Sequence, residues 1–188
     1  MKKKYYPIAF IFLLFNTGCS LFFGNIKPSD EKSSAYHYLD LSRQTQDWFK
    51  INPKDLSSHE SNELSQADVS FQSKKGRASI SINSVCTKKP KIAHQDHLKA
   101  LAQELFLGLS QVEVLQERTL KVSQTEAYEI TIQGTLHQTQ VMMRVVLLEK
   151  NSCTYDLIFV SDPLEFKRFE TDFNRFVDSF ELTSSFSS

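Results

Sequence analysis

The chain has 188 residues, 22 basic against 22 acidic side chains, 12% aromatic residues, and only five glycines and three cysteines. Balanced charge lacks the basic field that non-specific nucleic-acid binding draws on. The isolated glycines form neither a phosphate-cradling loop nor a dinucleotide fingerprint, and no Gly-x-Ser-x-Gly elbow is present, so no catalytic motif, cofactor or resident metal is expected.

Lys2, Lys3 and Lys4, the apolar run Tyr5 to Phe15 and the small residues before Cys19 have the layout of an export signal over residues 1–18. Eleven apolar residues fall short of the ~20 that cross a bilayer core as a helix. Thr17-Gly18-Cys19 resembles a lipobox, although Asn16 stands where the pattern prefers Leu. Cys19 is therefore the expected lipidation site and the membrane the expected partner through it, because two or more acyl chains hold a protein stably at a bilayer. Ser20 resembles the choice made by lipoproteins sent to the outer membrane, which places the chain in the cell envelope, facing the periplasm of a double-membraned cell. Cleavage before Cys19 removes three lysines and no acid, leaving a mildly acidic mature chain. Residues 19–35, with Gly24, Pro28 and several serines, read as lipidated cysteine and flexible tether.

Residues 36–182 suit one domain. Ala67 to Gln72 and Arg77 to Cys86 alternate apolar with polar side chains around Lys74-Lys75-Gly76, a hairpin signal. After a polar loop, Leu98, Leu101, Ala102, Leu105, Phe106 and Leu109 recur at helical spacing, predicting a helix over His94 to Leu109. Strands are expected over Glu113 to Val122, Glu126 to Gln133 and Gln138 to Lys150, with Gly134 at the last turn. The nearly continuous apolar run Val141 to Leu148 suits a central strand covered on both faces. Asn151-Ser152 turns the chain into a strand from Cys153 to Val160. Ser161 or Asp162 then caps a helix with Pro163 in its first turn, and Phe166, Phe169, Phe173, Phe176, Val177 and Phe180 form an aromatic stripe. Residues 183–188 are a serine-rich tail expected to be disordered.

Once Cys19 is assigned to lipid, Cys86 and Cys153 remain as an even pair in an exported chain, each in phase with the more apolar side of its strand; a disulfide is expected, two buried thiols being the alternative. His94 and His97 are three apart near a helix start, but the other histidines are scattered and no metal site is expected. Lys88, Lys89 and Lys91 would lie close to Lys74, Lys75 and Arg77 if the hairpin forms, and Glu126, Glu129 and Asp156 read as surface charges.

Trp48-Phe49 with Pro53, the hairpin, the amphipathic helix, the meander ending in Tyr155-Asp156-Leu157-Ile158 and the Phe-rich helix ending in Val177-Asp178-Ser179-Phe180 together resemble the PsbP/Mog1/DcrB group. The resemblance implies an α+β sandwich in which a central antiparallel β-sheet is packed by an amphipathic middle helix and a C-terminal helix. It also implies a non-catalytic domain that docks to, or assists assembly of, an envelope protein partner. A carrier of a small apolar ligand or lipid is the other expectation. On either, Trp48, Phe106, Phe166, Phe169 and Phe173 are the candidates for a ligand-lining or partner surface, against plain core packing.

Overall fold

The computed structural model describes residues 36–51, 67–74, 77–86 and 95–183. The export signal, Cys19, the tether, Pro53, Lys75, Lys88, Lys89, Lys91, His94 and the final serines lie outside them. Twelve elements are described: β1 (Tyr36–His37), α1 (Leu41–Gln44), β2 (Trp48–Lys50), β3 (Val69–Ser73), β4 (Ala78–Cys86), α2 (Gln95–Leu105), β5 (Ser110–Val122), β6 (Thr125–Leu136), β7 (Thr139–Lys150), β8 (Cys153–Ser161), α3 (Pro163–Asp178) and β9 (Glu181–Leu182).

Strands β5 to β8 form a meander because three two-residue turns match the twist of their flanking strands. Ser123-Gln124, His137-Gln138 and Asn151-Ser152 all take positive φ, as the mirror-image hairpin turns demand. None of the three uses glycine, so the expectation of a turn at Gly134 is corrected. Gly134 lies within β6 opposite Val141, where a Cβ would touch the Leu109 side chain at 3.4 Å. β8 then pairs with β4 over nine positions, from Ala78↔Ser161 to Cys86↔Cys153. The resulting seven-stranded antiparallel sheet has the order β2-β3-β4-β8-β7-β6-β5, with β1 and β9 as a separate two-stranded ribbon.

Helices cover both faces. Asp162 caps α3 by accepting a hydrogen bond from the Leu164 amide at 2.9 Å, which satisfies one of the free donors of the first turn. The α3 stripe meets Trp48, Phe71, Ile80, Val146, Leu157 and Phe159 on one face. The Phe159 ring stacks on Phe166 and Phe173 at centroid separations of 4.9 and 5.5 Å, and Phe169 meets Trp48 edge-on at 5.1 Å. On the other face, Leu98, Ala102 and Phe106 pack against Tyr128, Ile130, Ile132, Val145 and Leu147. β7 is thus covered on both sides, as its apolar run anticipated. Helix α2 ends at Leu105, short of the expected Leu109, because the chain tightens there: Phe106 and Leu107 donate to carbonyls three residues back, and Gly108 takes φ +124°.

Cys86 and Cys153 are joined by a disulfide. They are register partners at one end of the β4–β8 ladder, and the bridge closes a loop worth roughly 4 kcal/mol in the chain-entropy picture. This end also receives Tyr36, whose ring packs on Tyr155 and Phe180. Its hydroxyl donates to Asp68, and burial, followed by the Asp68 charge, pushes its pKa well up. The β3–β4 turn, with Lys74 and Arg77, lies at the opposite end. Nine residues of extended β4 separate it from Cys86, on the order of 30 Å at about 3.3 Å per residue. Lys75, Lys88, Lys89 and Lys91 lie outside the described residues, and with them the expected basic cluster.

Phe173 is fully buried between the sheet and α3. Replacing it with Ala is expected to cost about 3–5 kcal/mol, read as a lower urea midpoint at unchanged slope; a loss below 1 kcal/mol would mean that the ring does not hold helix to sheet.

Candidate functional site

Helix α3 lies over β4, β8 and β7 and leaves part of the same sheet face, along β5 and β6, beside it. Strand alternation puts Gln116, Arg118 and Leu120 of β5, Glu129 of β6 and Arg144 of β7 on that face. Together with Glu170, Asn174, Val177 and Asp178 along the flank of α3, they line an open groove of about 380 Å³.

Its floor is ionic. The Glu129 carboxylate is 1% exposed and has a different arginine on each oxygen: Arg118 Nε donates to Oε1 at 2.7 Å, and Arg144 Nη2 donates to Oε2 at 2.6 Å. Arg144 is itself buried. Its Nη1 reaches Glu170 at 3.5 Å, its guanidinium lies over the Phe173 ring at 5.6 Å, and its Nε has no partner among the described residues. Glu170 is shared with Lys167 at 2.9 Å. Two arginines face two carboxylates here, Glu129 and Glu170, and the exposed Lys167 beside Glu170 brings these five groups to one net positive charge.

The expectation that Glu129 is a surface charge is therefore corrected, whereas Glu126 is exposed and Asp156 is half-buried, accepting from Asn83 at 3.3 Å. A signal was present in the sequence: Arg144 interrupts an otherwise apolar run, and Glu129 occupies an inward position between Ala127 and Thr131. A charge in such a place requires a buried counter-charge.

The other candidates are placed as follows. Trp48, Phe166, Phe169 and Phe173 come together in the core under α3, with the Trp48 indole donating to Asp172 at 2.8 Å. Phe106 lies across the sheet in the core under α2. The sheet stands between Phe106 and the stripe, so these rings cannot line one shared pocket. His97 Nε2 is 3.2 Å from the buried Glu149 carboxylate. Among the described residues, no three His, Cys, Asp or Glu side chains converge as a metal site, and no helix is long and apolar enough to cross a membrane.

Sequence reasoning expected a strand over Glu113 to Val122 but not its place at the edge of the sheet. Among the described residues β5 pairs with β6 alone, and its residues Ser110 to Thr119 are exposed. Val112, Val114 and Leu115, with Leu107 just before the strand, form its apolar part. Breaks in register flank Val112 and Leu115. Towards α2 the strand is tied by Glu117, which accepts from Tyr128 at 2.8 Å and from Lys99 at 3.0 Å. These hydrogen bonds, Tyr128's first, hold the Glu117 carboxyl below its usual range, while burial pushes the Tyr128 hydroxyl up.

No family model and no curated protein matches the sequence. Solved structures do. Cyanobacterial PsbP from Synechocystis sp. PCC 6803 superposes with a TM-score of 0.53 at 8% identity, over 83% of this chain and 97% of that one. The fold is PsbP-like. Two further structures match with lower TM-scores: the Saccharomyces cerevisiae Ran-binding protein Mog1p (0.43, 12% identity, 80% and 96% covered) and LpqN of Mycobacterium tuberculosis, described as involved in cell envelope biogenesis (0.47, 8%, 79% and 83%). The PsbP-like match establishes architecture alone, since a fold of this kind carries many functions.

Removing Glu129 by substitution with Ala releases the half-exposed Arg118 to solvent and leaves the buried Arg144 with Glu170 at 3.5 Å as its remaining carboxylate, which is expected to destabilise the domain by about 3 kcal/mol. Replacing Arg118, Glu129 and Arg144 together with Leu, Leu and Met should recover much of that loss. Chemical denaturation of both variants checks this; equal stability of E129A and the parent would show that the cluster is not holding buried charge.

Proposed function

We propose that this chain is a non-catalytic envelope lipoprotein, held at the membrane through lipidated Cys19, whose PsbP-like domain docks onto another envelope protein along the outer edge of β5. One observation carries the docking reading. Among the described residues β5 is a long edge strand whose outward backbone has no strand partner, and it presents Val112, Val114 and Leu115 beside Leu107. Soluble domains ordinarily protect such an edge, because it is a template for pairing with another chain, and apolar side chains on it add the desolvation that a stable contact needs. Strand addition to such an edge takes its affinity from main-chain hydrogen bonds and its specificity from alternate side chains. The carrier alternative draws less support, because the rings proposed to line its pocket are divided between two cores.

The docking reading predicts that a photo-reactive residue at position 114, in cells, captures a reproducible envelope protein, whereas one at the exposed Gln103 of α2 does not. V114E with L115E should abolish the capture while leaving the unfolding midpoint within about 0.5 kcal/mol of the parent. Capture from both positions alike, or from neither, would sink the β5 assignment.

Membrane attachment is tested apart from docking. C19A should leave the chain unprocessed or free of the membrane fraction, and it should lose the mass of the acyl groups. Unchanged fractionation together with unchanged mass would remove the lipid assignment.

A further inference from the structure

The groove between β5 and α3 holds more hydrogen-bond donors than the protein itself satisfies. Both Glu129 oxygens are already occupied, one by each arginine. Among the described residues, the two terminal nitrogens of Arg118 have no acceptor; its side chain is 49% exposed, so they are within reach of solvent. Arg144 Nε is buried with no partner among the described residues. The amides of Gln116 and Asn174 stand on opposite walls of the same groove, and neither makes a hydrogen bond among the described residues. Arg118, Arg144 and Lys167 against Glu129 and Glu170 leave one net positive charge along this side of the groove. The remaining wall charge, Asp178, is exposed to solvent at the end of α3.

We propose that this groove is a carboxylate-binding site in which Arg118 is the primary anchor, its terminal nitrogens forming a fork on the ligand's two oxygens. Planar guanidinium and planar carboxylate match in two parallel hydrogen bonds. Glu129 is a positioning residue: by holding Arg118 through Nε, it fixes the plane of the fork and leaves the terminal nitrogens for the ligand. Arg144, pinned by Glu129, Glu170 and the Phe173 ring, supplies a fixed positive charge behind the fork, with little reorganisation on binding. Asn174 and Gln116 are placed to donate to the oxygen lone pairs that the fork leaves over. A phosphate dianion fits this floor less well, since it would bring a second negative charge between Glu170 and Asp178. The carboxylate can belong to a small free acid or to an acidic side chain of another protein, and the site chemistry is the same for both.

The test uses the full-length chain in detergent micelles, labelled with nitrogen-15, and follows the arginine Nε–H and side-chain amide signals during titration with sodium succinate or with a doubly blocked Asp-Asp dipeptide. Saturable shifts confined to Arg118, Arg144, Asn174 and Gln116 are expected, and R118Q should weaken binding by about tenfold or more. Arg118 is half-exposed, so this variant keeps the fold even where a change at Arg144 would not; N174A should give a smaller loss. Tighter binding of succinate identifies a small organic acid as the source, and tighter binding of the dipeptide identifies a protein side chain. Shifts that sodium chloride reproduces at matched ionic strength, shifts spread evenly over the surface lysines and arginines, or binding unchanged in R118Q would overturn the proposal. None of these outcomes depends on the β5 edge, so failure here leaves the docking reading standing.

Discussion

A single helix is narrower than a seven-stranded sheet, and much of this molecule follows from that mismatch. Strands about 4.8 Å apart give a sheet close to 30 Å wide, whereas a helix with its side chains covers about 10–12 Å. Helix α3 spends its aromatic stripe on β4, β8 and β7. On one side of it, Trp48 and Phe71 extend the apolar core towards the β2–β3 edge. On the other side no described helix covers β6 and β5, so the face there must either meet another molecule or be polar. Most of its exposed residues are polar, and the floor beside the helix is ionic.

The ionic floor has a consequence for specificity. Burying Glu129 and Arg144 costs solvation that an apolar trio would not incur, and mutual attraction repays such a cost only with good geometry. The arrangement is nevertheless tightly determined, with two arginines on one carboxylate and the second arginine stacked over Phe173. It links β5, β6, β7 and α3 through directional bonds, at the place where non-directional packing ends. The register of the outer strand is thereby fixed on both sides: Arg118 locks it to Glu129 on the α3 side, and Glu117 locks it to Tyr128 and Lys99 on the α2 side. An edge strand held in this way stays extended and in place while its outer backbone is open.

Elements whose residues repeat with a clear period were legible from sequence: α3 from its capped start and phenylalanine spacing, β7 from its continuous apolar run, and the Cys86–Cys153 bridge from strand phase and an even count. The turns were less so, because Ser123-Gln124, His137-Gln138 and Asn151-Ser152 adopt left-handed conformations without glycine; Gly134 attracted the turn assignment, while it lies within β6 opposite Val141. The short elements β1, α1, β2 and β9 carry too few residues to show a period, and tertiary partners hold them: Tyr36 against Leu182, and Trp48 against Ser73. Of the site, the individual charges were visible but their convergence was not. Glu129 and Arg144 are fifteen residues apart, and only the pairing of β6 with β7 puts them on one face.

The two ends of the sheet differ in kind, and the difference bears on how a tethered domain could work. The described chain begins at Tyr36, beside the disulfide, at the end where β5 finishes and Ser123 accepts from the Leu182 amide. The exposed apolar residues Leu107, Val112, Val114 and Leu115 cluster about the start of β5, and Leu164 is exposed at the start of α3, both at the other end. Ten residues of extended strand separate Val112 from Val122, roughly 33 Å. On the proposed anchoring, the tether joins the domain at Tyr36, the end opposite the apolar start of β5. The disulfide then braces the end that bears the pull of the anchor. The apolar half of the β5 edge thus lies at the end of the strand away from Tyr36, where the described chain begins.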